Sequence, residues 1–169
     1  MKNSSSMPTM DQQTSNEKVL SQLQTIFAKN KDLRICVVGA SCIGKTTLVR
    51  DLPECIDHDY IVWELMPKDI AEKLKTFPEP WSEAALDIWK DCISKTHFNI
   101  KPRQPIFSYD PRCISGCDLI IHLVLDDSQY LERVAKRGKN SDTMLRHKQK
   151  VNESVKNASA PVIVIDLGS

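Results

Sequence analysis

The chain has 169 residues, of which 27% are charged and 41% hydrophobic, and its formal net charge is +1. This balance is typical of one globular domain with a substantial core, and no stretch approaches the roughly 20 apolar residues that would span a bilayer. Because the net charge is near zero, no global field attracts nucleic acid or a membrane surface, and we expect neither as a partner.

The N-terminal segment is polar. Residues 1–16 are rich in Ser, Gln, Asn and Thr, which predicts a disordered tail. The segment lacks the apolar run of a signal peptide, so we expect a cytoplasmic protein with reduced cysteines. From residue 17 to residue 30, apolar side chains recur at helical spacing and predict a helix. It should pack on the domain that follows, so that residues 17–169 form a single domain.

The rest of the chain alternates between predicted strands and helices. Apolar runs predict strands at residues 33–38, 55–61, 105–110, 118–125 and 161–166. Helices are predicted at residues 45–52, 67–77, 82–96, 128–138 and 142–158, with Asp127 or Ser128 capping the fourth and Gly138 just past its end. This alternation predicts a three-layer α/β fold with a five-stranded parallel sheet and helices on both faces.

The segment between the first strand and the next helix fits the full phosphate-binding pattern Gly-x-x-x-x-Gly-Lys-Thr. The matching residues are Gly39, Ala40, Ser41, Cys42, Ile43, Gly44, Lys45 and Thr46, followed by Thr47. The glycines let successive backbone N–H groups point at an anion, and the following helix adds its positive end. Lys45 supplies a cation for the β- and γ-phosphates, and the hydroxyl of Thr46 can bind Mg²⁺. The sequence therefore predicts an ATP–Mg²⁺ site at this loop.

The rest of the sequence indicates which class of protein with this phosphate-binding pattern the chain resembles. The chain lacks the guanine-reading Asn-Lys-x-Asp segment of GTPases and is too short for a large motor ATPase. Arg133 and Arg137 lie four residues apart on one predicted helix, so they share one face of it. Positioned positive charge is what phosphoryl transfer requires, which favours a small phosphotransferase.

Residues 121–138 resemble the nucleoside monophosphate kinase-like group of P-loop kinases, which includes adenylate and shikimate kinases. In that group a strand leads to a helix that carries Arg-x-x-x-Arg and then to a mobile lid. The resemblance implies that Arg133 lies over the donor base and that Arg137 reaches the transferring phosphates. It also implies a phosphate-binding role for Arg146 on the next helix, and a short lid at about residues 138–141.

The sequence identifies the acidic residues of the predicted site less clearly than the phosphate-binding pattern. Asp57 and Asp59 resemble the Asp-x-Asp of shikimate-type kinases, which implies Mg²⁺ binding for Asp57, together with Thr46, and binding of the acceptor hydroxyl, as a base, for Asp59. Asp110 and Arg112 form a shortened version of the Asp-Gly-Phe-Pro-Arg segment of adenylate kinases, which implies acceptor binding. We rank Asp57 and Asp59 first. Asp126 and Asp127 follow an apolar strand but are better explained as helix caps.

We therefore expect a monomeric, Mg²⁺-dependent kinase that moves the γ-phosphate of ATP to a small-molecule or nucleotide acceptor. The alternative is a nucleotide-binding regulatory protein or a weak ATPase. The near-neutral charge disfavours a polynucleotide kinase. A metal site at Cys113 and Cys117, completed by a histidine, fits no standard zinc spacing. For the tryptophans of the acceptor region, core packing is favoured over stacking on a base.

Overall fold

The computed structural model describes residues 10–78, 81–96, 104–109, 111 and 116–168. The helices are α1 (Met10–Lys29), α2 (Lys45–Arg50), α3 (His58–Leu65), α4 (Lys68–Thr76), α5 (Glu83–Thr96), α6 (Asp127–Lys136) and α7 (Ser141–Lys156). The strands are β1 (Ile35–Val38), β2 (Ile56–Asp57), β3 (Ile106–Ser108), β4 (Leu119–Val124) and β5 (Val162–Asp166). Within this described part, no helix is both long and apolar enough to cross a membrane.

The five strands form one parallel sheet in the order β2-β3-β1-β4-β5. The predicted three-layer α/β fold with a five-stranded parallel sheet is therefore confirmed. Strand β1 lies at the centre between β3 and β4, and all four of its residues are buried. A strand covered on both faces must be apolar throughout, which explains the continuous Ile-Cys-Val-Val run.

Alternate residues of the strands enter two separate cores. Ile35 and Val37 belong to a cluster with Leu23 of α1 and Val134 of α6. Cys36 and Val38 face the other way, into a smaller cluster that α7 covers. This period-two alternation places helices on both faces of the sheet.

A third apolar cluster joins the helices that precede β3. It is built from side chains of α3, α4 and α5, and the ring of Tyr109, just after β3, packs against it. The fully buried Leu74 and the almost fully buried Trp89 lie at its centre. The cluster holds α3 against the end of the sheet at which residues 39–46, the predicted phosphate-binding loop, also lie.

Three local features differ from the sequence-based prediction. Helix α1 begins at Met10 rather than at residue 17, so it includes residues 10–16 of the predicted tail. The predicted strand at 55–61 is only two residues long, and α3 follows it at once because the Asp57 carboxylate accepts a hydrogen bond from the N–H of Tyr60 at 3.3 Å. The N-cap of α6 is Asp126, whose carboxylate accepts from Gln129 N–H at 2.8 Å; this confirms the helix-cap interpretation of Asp126 and places the cap before Asp127 and Ser128.

Candidate functional site

The candidate site lies at the carboxyl ends of the central strands, where the phosphate-binding loop connects β1 to α2. Gly39 leaves β1 and donates its N–H to the carbonyl of Ser108, at the end of β3. A Cβ at Gly39 would lie 2.8 Å from Cγ2 of Ile43 and 3.3 Å from Cβ of Leu123, so only glycine fits there. Gly44 has φ +110°, a conformation that glycine adopts without steric cost. The two glycines of the pattern are thus required for different reasons, Gly39 for space and Gly44 for its backbone conformation.

The residues between the two glycines form a tight turn. Cys42 is the one non-glycine residue of the described chain with a positive φ, 69°, and the N–H of Ile43 donates to the carbonyl of Ala40. A non-glycine residue in this region is uncommon and is concentrated at functional sites. Thr46 is exposed in the first turn of α2, where its hydroxyl is accessible.

Lys45 folds back over the loop. Its Nζ donates to the carbonyls of Gly39 and, at 3.0 Å, of Ala40. Burial lowers the pKa of Lys45, while the negative charges of Asp59 and Asp57 oppose that shift. The two carboxylates predicted from the Asp-x-Asp pattern therefore act electrostatically on the lysine of the loop.

Asp59 lies in the first turn of α3 against the end of β3. Burial raises the pKa of its carboxyl group to about 7, opposed first by the positive charge of Lys45. The negative charge of Asp57 adds to the rise, and hydrogen bonds with the backbone of Tyr109 and the hydroxyl of Ser108 limit it. The Oδ1 atom is buried without a hydrogen-bond partner. This carboxyl group can therefore exchange a proton near neutral pH.

An aromatic cluster borders Asp59. Trp63 lies one turn after Asp59 on α3, and its ring centroid is 5.2 Å from that of Trp89 and 6.2 Å from that of Trp81. Trp89 in turn lies 6.3 Å from Tyr109. Trp89 is buried in the third apolar cluster, as the core-packing interpretation predicts, whereas 36% of Trp63 is exposed.

Helix α6 holds the phosphate-binding loop from the opposite side. The buried Tyr130 donates its hydroxyl to the carbonyl of Ser41 at 2.7 Å. Nη1 of Arg133 donates to the carbonyl of Ile43, and burial followed by the charge of Arg137 lowers the pKa of Arg133. Arg137 is the C-cap of α6, exposed to solvent yet near enough to lower the pKa of Lys45. The predicted arginine pair is thus brought to the loop, with Arg133 as the inner member.

Helix α7 brings a histidine to the loop that the sequence analysis did not select. Nε2 of His147 lies 3.4 Å from Oγ of Ser41, and its ring stacks on Tyr109 at 5.4 Å. Arg146, the predicted phosphate ligand, is exposed and donates its Nε to the carbonyl of Asp142 on its own helix. The periodicity of α7 could have indicated this histidine, because position 147 lies three residues after Met144 and four before Val151, two of the buried residues of the helix.

The remaining predictions concern the Asp110–Arg112 segment and the Mg²⁺ ligands. Asp110 and Arg112 lie outside the described residues. Among the residues that are described, no group of three or more metal-ligating side chains is present. Mg²⁺ does not require one, since it is commonly held by one or two carboxylates together with substrate phosphates and water. The Thr46 hydroxyl and the Asp57 carboxylate beside the loop fit that requirement.

Comparison with known proteins identifies a structural relative but no sequence family. No protein-family model and no curated protein matches the chain. Among solved structures, the chain is similar to one described as a gluconokinase from Sinorhizobium meliloti 1021, with a TM-score of 0.54 and 16% identity. The match covers 82% of this chain and 85% of that one. At this identity the likeness shows a shared fold.

Proposed function

We propose that the chain is an ATP-dependent kinase that transfers the γ-phosphate, with Mg²⁺, to a hydroxyl group of a small-molecule acceptor. The observation that carries the proposal is the position of Asp59. Its buried carboxyl group, with a pKa of about 7, acts electrostatically on the lysine of a complete phosphate-binding loop. A carboxyl group that can accept a proton beside this lysine suits transfer of phosphate to a hydroxyl group. The fold shared with the structure described as a gluconokinase supports the same reaction class.

The loop and Lys45 bind the phosphates in this proposal. The loop N–H groups surround the phosphate oxygens, and the Lys45 ammonium leaves the carbonyls of Gly39 and Ala40 to contact the β- and γ-phosphates. Thr46 and Asp57 would hold the Mg²⁺ ion, which would supply positive charge to the phosphate oxygens. Most of the catalytic effect comes from positioned charge, as expected for phosphoryl transfer.

Asp59 orients the acceptor hydroxyl and receives its proton. The carboxyl group is about half ionised near neutral pH, the condition under which a general base works best. The acceptor hydroxyl would donate to Oδ1, which is buried without a hydrogen-bond partner in this structure. A base in this role typically contributes about 10²- to 10⁴-fold to the rate.

The two arginines of α6 have different roles in this proposal. Arg133 fixes the loop through the Ile43 carbonyl, so its contribution is to the geometry of the nucleotide site. Arg137 is exposed at the start of the short connection to α7, and from there its guanidinium can close on the transferring phosphate. That closure excludes water, which would otherwise compete with the acceptor hydroxyl.

The acceptor lies against α3 in this arrangement. A hydroxyl held by Asp59 places the rest of the acceptor near the partly exposed Trp63, one helical turn away. Aromatic rings offer an apolar wall to a sugar, a polyol or a nucleoside. The acceptor screen should therefore include all three classes.

The proposal is tested with labelled ATP, Mg²⁺ and a panel of sugars, sugar acids, shikimate-like alcohols, nucleosides and nucleoside monophosphates. We expect label in one class of hydroxyl acceptor and its loss in the Lys45→Ala variant. Lys136→Ala, which removes an exposed lysine of α6, is the matched control and should retain transfer. Saturable ATP binding with no acceptor labelled would instead support the regulatory or weak ATPase alternative. Unchanged transfer by Lys45→Ala would exclude the mechanism.

A further inference from the structure

Two cysteines lie together at the end of the sheet away from the phosphate-binding loop. Cys36 is fully buried in β1, which pairs with β4 so that Cys36 is opposite Ile120. Cys117 lies just before β4 and packs against the apolar cluster that contains Cys36. Sγ of Cys117 lies 3.9 Å from the carbonyl oxygen of Arg34, two residues before Cys36, and 3.2 Å from that of Leu119. Both thiols are free in this structure.

Only one of the two thiols can be reached from solvent. Cys117 is half-buried and lines an open cavity of about 650 Å³ between the first turns of α5 and the second half of α7. Lys150 and Glu153 contribute polar side chains to the same wall. Cys36 has no exposed surface, so a reagent meets Cys117 first. The geometry separates an attacking thiol from a resolving thiol.

The surroundings favour ionisation of the accessible thiol. The hydrogen bond from the Cys36 thiol lowers the pKa of Cys117, whereas burial opposes that shift. The same contact and burial raise the pKa of Cys36. The positive charge of Arg34 acts on Cys36, and the negative charge of Asp118 opposes ionisation of both thiols. The thiolate is the reactive form of cysteine, so the accessible thiol is also the more nucleophilic one.

We propose that Cys117 and Cys36 form a dithiol that a hydroperoxide oxidises to a disulfide, with Cys117 as the attacking and Cys36 as the resolving residue. The proposal rests on the position of the Cys117 sulfur beside β1, in the apolar cluster that contains Cys36, and on the cavity that exposes Cys117. It does not depend on the proposed kinase activity.

The chemistry balances in two steps. The Cys117 thiolate attacks one oxygen of hydrogen peroxide, the O–O bond breaks, hydroxide leaves, and Cys117 becomes a sulfenic acid. The Cys36 sulfur then attacks the Cys117 sulfur and the S–O bond breaks. The departing hydroxide combines with the Cys36 proton to form water. The two thiols lose two electrons in total, and the peroxide accepts them.

The test treats the reduced full-length protein with hydrogen peroxide under native conditions and maps the cysteines by non-reducing peptide mass spectrometry. We expect a Cys36–Cys117 disulfide in the unmodified sequence. The Cys36→Ser variant should stop at the sulfenic acid and label Cys117 with dimedone. The Cys117→Ser variant should form neither the disulfide nor the dimedone adduct at Cys36. Circular dichroism confirms that each variant is folded.

Two controls make the result specific. Cys113 is close to Cys117 in sequence, lies outside the described residues and is the competing partner for Cys117. The Cys36–Cys117 disulfide should persist in the Cys113→Ser variant. Cys92 is a buried cysteine of α5 and should oxidise at least tenfold more slowly than Cys117. A Cys113–Cys117 disulfide in the unmodified sequence, or equal oxidation of Cys92 and Cys117, would overturn the proposal.

Discussion

Asp59 and Lys45 carry opposite charges at the end of the sheet, and each opposes the pKa shift that burial imposes on the other. Asp59 comes from α3 and Lys45 from α2, so the pair exists because β3 brings the ends of β1 and β2 to one edge. Burial raises the pKa of Asp59 to about 7 even with the lysine nearby. The pair therefore combines a cation for phosphate with a carboxyl group that titrates near neutral pH.

The first prediction concerns the rate of transfer in Asp59→Asn. The substitution keeps the size of the side chain but removes the base, so we expect kcat to fall by about 10²- to 10⁴-fold with little change in ATP affinity. In the unmodified protein, kcat/KM should rise as pH increases through about 7, because deprotonation of Asp59 creates the base. Steady-state kinetics across pH measures both effects. A variant that retains the same pH dependence would assign the titration to another group.

The second prediction concerns stability in the same variant. The pKa of Asp59 is 3.8 when unperturbed and about 7 in the folded protein, so the folded state binds more protons between these values. The contribution of Asp59 to folding stability is therefore present at low pH and is lost as pH rises through that window. We expect Asp59→Asn to have the higher Tm at pH 8 and a smaller advantage at pH 5. Thermal unfolding followed by circular dichroism gives the comparison; a constant difference in Tm would contradict it.

Much of the site could be predicted from local sequence. The spacing of Gly39, Gly44 and Lys45 predicts the position of the loop, because each residue meets a local steric or charge requirement. The arginine pair on α6 could also be placed, because residues four apart on a helix share one face. The apolar runs of the central strands and the glycine after α6 follow from equally local causes.

What could not be predicted depends on contacts between distant segments. The run after Asp59 is rich in aromatic and β-branched residues, which favour a strand, whereas the Asp57 cap and the packing of Val62 in the third apolar cluster stabilise it as α3. The electrostatic interaction between Asp59 and Lys45 depends on the strand order, which no local pattern contains. The choice between Arg146 and His147 required knowing which face of α7 points at the loop.

The third prediction tests how α6 supports the loop. Tyr130→Phe removes the hydroxyl that donates to the Ser41 carbonyl and keeps the buried ring. We expect the free energy of unfolding to fall by about 1 kcal/mol and ATP to bind more weakly. Urea denaturation and calorimetric ATP titration measure the two effects. Tyr60→Phe is the control, because that residue is 60% exposed and should change stability by less than about 0.5 kcal/mol. Equal effects from the two variants would show that the bond to Ser41 is not important.

The fourth prediction separates the two arginines. Arg133→Ala leaves the Ile43 carbonyl without its side-chain donor, so we expect a loss of about 1–3 kcal/mol in stability and weaker ATP binding. Arg137→Ala removes an exposed residue and should change stability by less than about 0.5 kcal/mol while lowering kcat by about 10²-fold or more. Denaturation curves and single-turnover kinetics on both variants distinguish these profiles. If Arg137→Ala turned over normally, its contact with the transferring phosphate would be excluded.

The fifth prediction concerns the glycine that begins the loop. A methyl group at Gly39 would lie 2.8 Å from Cγ2 of Ile43, so Gly39→Ala must displace the loop or the side chains around it. We expect a loss of about 1–3 kcal/mol in stability, typical of overpacking, and loss of measurable ATP binding. Gly116→Ala is the matched control, because its φ of +72° imposes strain of roughly 1–2 kcal/mol although no atom lies within 4 Å of the added Cβ. Gly116→Ala should therefore be destabilised and still bind ATP with the affinity of the unmodified protein. If both variants lost affinity together, the effect would come from reduced stability, and the close contact at Gly39 would not be needed for nucleotide binding.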